Sequence, residues 1–371
     1  MNRKSALELS FNFIFAMISA VVIFTIAFGV ISSITKTATA EKSLELKTYI
    51  TNQFSSNLNQ GGESDYIPLS SNMIFSQSCD KISFLENSID TYNYPVFSLG
   101  KIKTNTLGIS TKKILLPTYI SNVVYLYPPS KIYLYCKDCD NPLDVPDIFY
   151  LLSRSIKPAK LASFKDVLEI KIIGKEFDLT NEEIKQIKKS DILVYPDNEN
   201  APENLCNYFI CKEIKVDDSY KFQDFYKNLV YSNRHDYPVG FVSFNGNTMY
   251  FLGEESLFGA LLSDNASLYD CNLLKMLFGI NRISSVNKKR LEILKFEGGA
   301  FSTDDNCKEI YTSSVNAYAG LLKLLDDLVN QDDDYNPNTI TLDVLKDIRK
   351  SIFLLSELNY NATRYSCPNI Y

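Results

Sequence analysis

The side chains best able to do chemistry in this 371-residue chain are its eight cysteines: Cys79, Cys136, Cys139, Cys206, Cys211, Cys271, Cys307 and Cys367. An even number of thiols, all downstream of one apolar segment, is the pattern of a disulfide framework in an oxidising compartment. Cys206 and Cys211 are close enough in sequence to close a small loop. Cys136 and Cys139 form a C-x-x-C that either bridges locally or pairs elsewhere. Cys79 with Cys271 would tie an early layer of the chain to a late one. Two other uses compete. Cys136, Cys139, Cys206 and Cys211 have spacings within the range of a four-cysteine structural zinc site. A redox C-x-x-C needs a helix N-terminus to stabilise its thiolate, whereas Asp138, Asp140 and Pro142 surround Cys139 and disfavour one.

Beyond the thiols, the chemistry is sparse. The one histidine, His235, stands between Arg234 and Asp236 ahead of Tyr237 and Pro238. No G-x-S-x-G elbow accompanies it, so a solvated turn histidine is expected in place of a triad member. A single histidine also removes His-based zinc or iron. Gly174-Lys175 lacks the spacing of a phosphate loop. Asp332, Asp334, Asn336, Asn338 and Asp343 approximate the ligand spacing of a calcium loop. Pro337 replaces the glycine such a loop turns on, and Asp343 is shorter than the usual bidentate Glu, so an acidic turn capping the next helix is favoured. Pro196 to Glu199 follows a strand, at the kind of edge where open sheets bind ligands, on fold analogy alone. No catalytic residue, resident metal or cofactor is therefore expected, and a binding role is favoured over an enzymatic one. Net charge is -6 with no long Lys and Arg run, which removes the footprint of a nucleic-acid binder.

The element that would place all of this is at the N-terminus. From Phe13 to Ile34 there is no charged side chain. At about 1.5 Å per residue, residues 13–34 can cross a hydrocarbon core of about 30 Å. Arg3 and Lys4 precede the run, and Lys36, Lys42 and Lys47 follow it among Glu41 and Glu45. The positive-inside rule thus leans only slightly toward a cytoplasmic N-terminus, and the cysteines decide the orientation. Ala38-Thr39-Ala40 has the form of a signal-peptidase site, but the apolar run is longer than an ordinary signal peptide's, which favours a retained anchor. After it, Leu46, Ile50, Phe54 and Leu58 keep a helical period until Gly61-Gly62, which reads as a stalk.

Lys4-Ser5-Ala6-Leu7-Glu8, a basic step, small residues and a Glu ahead of an apolar helix, resembles the start of archaeal type IV pilin-like precursors. The resemblance implies that Glu8 sits inside the helix start and helps register subunits of a filament. Arg3 or Lys4 stands where that family has the Gly before its cleaved bond. An ordinary anchor with Glu8 near the headgroups is the favoured expectation.

Short β-branched or aromatic segments then follow: Lys81 to Leu85, Val96 to Leu99, Lys113 to Leu116, Val123 to Tyr127 and Ile132 to Cys136. They predict a β-rich layer. Val167 to Ile173, a helix capped by Thr180 and Glu183, and Asp191 to Tyr195 make a β-α-β unit. Ile210 to Val216, a helix over 219–232, and a hairpin of Val239 to Phe244 and Thr248 to Leu252 turning at Asn245-Gly246 extend it. Three helical stripes close the chain. Leu273, Met276, Leu277 and Ile280 lie in a helix from Ser267 to Phe296. The others are Tyr311 to Val329, and Leu345 to Leu355 after Pro337. If these three run up, down and up, Cys307 and Cys367 meet at one end. Asn265-Ala266-Ser267 and Asn361-Ala362-Thr363 are glycosylation sequons if the region is exported.

Phe251-Leu252-Gly253-Glu254, Leu257-Phe258-Gly259-Ala260, Tyr269-Asp270-Cys271-Asn272 and the ending Ser366-Cys367-Pro368-Asn369-Ile370-Tyr371 resemble recurring features of single-span, extracytoplasmic proteins of small-genome archaea. That likeness implies a location and leaves the activity open. The expected fold is α+β: an N-terminal transmembrane helix over 1–36, a stalk over 37–62, a β-rich layer over 63–158, a small α/β mixed sheet over 159–265, and a C-terminal three-helix bundle over 266–371. The expected partners are membrane lipid around residues 13–34, and another protein or a second copy.

Overall fold

The computed structural model describes residues 3–60, 64–84, 87–92, 94–115, 119–135, 168–173, 185–197, 205–217, 237–296, 305–329 and 340–367. Helix α1 (Arg3–Gln60) is continuous, so the apolar run and the stalk expected after it are one rod. It contains no proline, and Gly29 is its only glycine, so no residue inside it favours a break.

The first sheet contains β1 (Ser64–Gln77), β2 (Lys81–Phe84), β3 (Asn87–Asp90), β4 (Val96–Ser98), β5 (Lys101–Leu115) and β6 (Tyr119–Tyr127) in the order β3-β2-β1-β5-β6-β4. All its pairings are antiparallel except β4 with β6. Alternation along β6 shows how the sheet is used on both sides. Val124 and Leu126 point into one core with Leu46 and Ile50 of α1. Val123, Tyr125 and Tyr127 point into the other, with the later helices.

The second sheet takes β7 (Ser130–Tyr135), β8 (Leu168–Ile173), β9 (Ile192–Pro196), β10 (Ile210–Val216), β11 (Val239–Phe244) and β12 (Asn247–Leu252) in the order β12-β11-β10-β9-β7-β8. β8, β7, β9 and β10 are parallel, and β11 and β12 continue antiparallel. The mixed sheet expected from the sequence is therefore present, but β7 belongs to it and lies between β8 and β9. Asn245 and Gly246 sit at φ 50° and 76°, the two left-handed positions of a tight hairpin, and Phe244 faces Asn247 across it.

Helices α2 (Gly253–Leu262), α3 (Ala266–Phe296), α4 (Asp305–Val329) and α5 (Leu342–Arg364) follow. α4 packs on α3, and α5 packs on α4 and on β11 and β12. The sequence reading missed α2, because its glycines and short length hid the period. α2 and α3 fill the space between the two sheets, in one core that runs from Phe97 and Tyr125 through Leu257, Tyr269 and Leu277 to Val194 and Phe251. Gly259 makes the close approach possible: a Cβ there would lie 2.5 Å from the Phe97 ring. A smaller core on the outer face of the second sheet joins Tyr133, Tyr135, Leu193, Leu205 and Phe209.

Candidate functional site: the apolar helix and the joint beside it

α1 has two halves of opposite character. From Met17 to Ile34 it is long and apolar enough to cross a membrane, and none of that window is buried against the rest of the protein. Phe24 is 77% exposed. Such a surface is unfavourable in water by roughly 25 cal/mol per Å². The Thr25 hydroxyl does not oppose lipid, since it donates back to the Val21 carbonyl at 2.7 Å. From Ser43 to Ile50 one face of the helix is packed: Leu46 and Ile50 are buried, and Ser43 Oγ accepts a bond from the Asn87 side-chain amide. Burying Ile50 contributes about 1.5 to 3 kcal/mol, so this half is held by the head rather than standing free as a stalk.

The head is itself held together at α2 and α3. Cys79, in the turn after β1, is bonded to Cys271 of α3. One turn further on, Lys275 donates to the carbonyls of Cys79 and Thr91, the latter at 2.8 Å. Burial pushes its amine down to about 8, with Asp80 offsetting part of the effect. Asn272 Oδ1 accepts from the Val96 N–H at 2.9 Å, and Asp264 accepts from the Gly100 N–H at 2.7 Å. Four residues, Asp264, Cys271, Asn272 and Lys275, thus tie the start of α3 and the turn before it to the first sheet.

At the other end of the same joint, Lys112 of β5 meets Glu254 at 2.8 Å and Glu255 at 3.4 Å, at the start of α2. Burial disfavours its charge, but Glu255 and Glu254 outweigh that and raise its pKa, so it stays a cation and is no nucleophile. Tyr125 donates to the Glu255 carbonyl at 2.9 Å, and burial raises its phenol well above the usual value. Lys212 of β10 is fully buried; it donates to the carbonyls of Ala260, at 2.7 Å, and Ser263, both at the C-terminal end of α2. Its nitrogen lies 5.3 Å from the Phe244 ring centroid. Burial pushes its amine down to about 7, opposed in part by Asp264. A cation at a helix C-terminus is favoured by the helix dipole, so Lys212 works as a cap. Asp270 is 8% exposed, and burial pushes its carboxyl up to about 7.

The residues singled out from sequence fall as follows. Cys206 is bonded to Cys211 across the short loop into β10, and Cys307 to Cys367 at the far end of α4 and α5. The Cys206 to Cys211 bond leaves neither as a thiolate for the four-cysteine zinc arrangement. Cys136, Cys139, His235 and the acidic stretch Asp332, Asp334, Asn336 and Asn338 lie outside the described residues. Asp343 is an exposed first-turn residue of α5, with Lys346 4.0 Å away. Glu8 lies in α1, but its side chain is outside the description. Asp197, just past β9, stands beside the switch in strand order between β7 and β9, and its carboxylate is taken by Lys215 at 2.7 Å. Among the described residues no three of His, Cys, Asp and Glu converge as a metal site would require.

Sequence reading did not find Lys112, Lys212, Asp270 or Lys275 as structural groups. The only available signal was alternation: Lys212 sits on the inward face of a strand between Ile210 and Ile214, where a charged residue is out of pattern.

No protein-family model, no curated protein and no solved structure matches this chain.

Proposed function

We propose that the apolar half of α1 spans a membrane with its N-terminus in the cytoplasm, and that the head acts outside the cytoplasm by binding other proteins of the envelope. The observation that carries this reading is one uninterrupted helix whose first half is exposed and apolar and whose second half is clamped to a disulfide-bearing head. A helix of that kind leaves a long apolar surface bare in water, and a hydrocarbon layer of matching thickness would cover it. Three cysteine pairs at bonding distance agree with an oxidising compartment.

The test is fractionation with protease and thiol labelling of intact cells expressing the full chain. The expected result is a protein that stays with the membrane through an alkaline wash, a head digested from outside, and cysteines that resist alkylation until reduced. A head protected in intact cells, with thiols that alkylate at once, overturns it.

A second reading, a pilin-like filament subunit, is favoured by the same rod: an apolar half exposed all round can pack on the same half of other copies. It predicts that the mature N-terminus begins after Arg3 or Lys4. Mass spectrometry that finds Asn2 on the mature protein removes it.

A further inference from the structure

The fold treats the two sequons of the chain differently. Asn265, of Asn265-Ala266-Ser267, stands in the turn between α2 and α3, and both it and Ser267 are exposed. Its carbonyl accepts from the Tyr269 N–H at 3.0 Å, and its side-chain Oδ1 accepts from the Leu268 N–H at 3.1 Å, which makes it the N-cap of α3. The cap uses only the oxygen. The Nδ2 nitrogen of Asn265 has no partner among the described residues. Beside it the first sheet presents Gly100, which has no side chain to crowd the site: a Cβ there would lie 4.0 Å from the Asn265 Cβ.

Asn361, of Asn361-Ala362-Thr363, lies inside the last turn of α5. Its carbonyl accepts from the Tyr365 N–H at 2.9 Å, the Thr363 hydroxyl donates to the Asn359 carbonyl at 3.1 Å, and Ala362 is buried. The Cys307 to Cys367 bond pins the chain just beyond it. An acceptor sequon belongs on a surface turn of an exported chain, because Nδ2 and the hydroxyl two residues on must be presented together to a transferring enzyme. At Asn361 that presentation would require the end of α5 to unwind, whereas at Asn265 the turn already provides it.

We infer that Asn265, and not Asn361, carries an N-linked saccharide. This rests on the head lying outside the cytoplasm. The donor is a saccharide carried on a polyprenyl diphosphate. Asn265 Nδ2 forms a bond to the anomeric carbon, the bond from that carbon to the diphosphate oxygen breaks with its electron pair, and Nδ2 gives up one proton. Oδ1 is unchanged by the transfer, so the modified residue still caps α3. The sugar then stands beside the contact of Asp264 with Gly100 and keeps other proteins off this corner of the joint.

The test is peptide mapping by mass spectrometry of the full chain purified from the membranes of its own cells, with thiols alkylated before and after reduction. The expected result is oxidised cysteines, the added mass of a saccharide on the Asn265 peptide and none on the Asn361 peptide. Asn265→Asp keeps a capping oxygen and removes Nδ2, and Ser267→Ala leaves the cap itself in place. Each should abolish the added mass while the disulfides and the membrane retention persist, and Ser267→Thr should keep it. Oxidised cysteines with Asn265 bare overturn the inference and leave the location standing. A saccharide on Asn361, alone or together with one on Asn265, overturns it too. Free thiols with both asparagines bare remove the location as well.

Discussion

Cys79, in the turn between β1 and β2, is bonded to Cys271 of α3, which follows it by 192 residues, and their Cα atoms are 5.9 Å apart. The bridge joins the first sheet to the helix that also packs on β12. In the chain-entropy picture a cross-link of that span restricts the unfolded chain by about 5 kcal/mol, against about 2 kcal/mol for the short loop closed by Cys206 and Cys211. Replacing Cys79 and Cys271 together by serine should lower the denaturant midpoint clearly more than replacing Cys206 and Cys211. Equal shifts in a urea titration of the two double variants would contradict this.

Asp270 gives the fold a pH dependence of known sign. An unfolded aspartate titrates near ~3.9. In the head, burial pushes Asp270 up to about 7. The folded state therefore prefers the protonated form, and its contribution is complete below pH ~4 and lost as pH rises toward 7. Asp270→Asn should raise stability at pH 8 by about 1 to 3 kcal/mol and leave it nearly unchanged at pH 4. Urea titrations at the two pH values decide the matter, and a destabilised variant at pH 8 would count against it.

Lys212 has the opposite slope. Its unfolded pKa is near ~10.4 and burial pushes it down to about 7 in the fold. Its share of stability is present above pH ~10.4 and lost as pH falls through 7. The trends of Lys212 and Asp270 therefore meet near neutrality. Lys212→Met keeps the volume and removes the charge, so the rise in stability from pH 7 to pH 10 should flatten. The carbonyls of Ala260 and Ser263 lose their donor at the same time, so the variant should be the weaker protein at pH 10. A slope identical to that of the parent chain would show that burial of Lys212 is not its source.

Gly240 and Gly246 should respond differently to alanine. A Cβ at Gly240 would lie 2.0 Å from the Lys215 carbonyl oxygen across the β10–β11 ladder, and backbone cannot swing away as a side chain can. Gly246 has open space around it, and only its φ of 76° opposes a side chain. Gly246→Ala should cost about 1 kcal/mol, whereas Gly240→Ala should cost several times that or prevent folding. Soluble yield and thermal midpoint of the two variants would show it, and similar values for both would be inconsistent with the register described here.

What could be read from the sequence was whatever depends on near neighbours. The apolar run, the Asn245-Gly246 hairpin, the span of β10 and the start of α3 follow from period and turn chemistry within a few residues. What could not be read depends on distant partners. The insertion of β7 between β8 and β9 is set by packing, and nothing in Ser130 to Tyr135 encodes its neighbours. Lys112 acquires its role only because α2 brings Glu254 and Glu255 against it. The packed half of α1 was readable as an amphipathic stripe, but the surface it covers belongs to strands that follow it in the chain.

Helix α1 has no proline anywhere, and no glycine after Gly29, so the apolar run and the head sit on one stiff shaft without a swivel. Turning the shaft by one residue's worth, about 100°, would carry the whole head around with it. If residues 17–34 lie in a bilayer as proposed, whichever face they turn to lipid or to a neighbouring helix selects which side of the head looks outward, and a substitution deep in the apolar run would then reorient a surface tens of ångströms away without touching it.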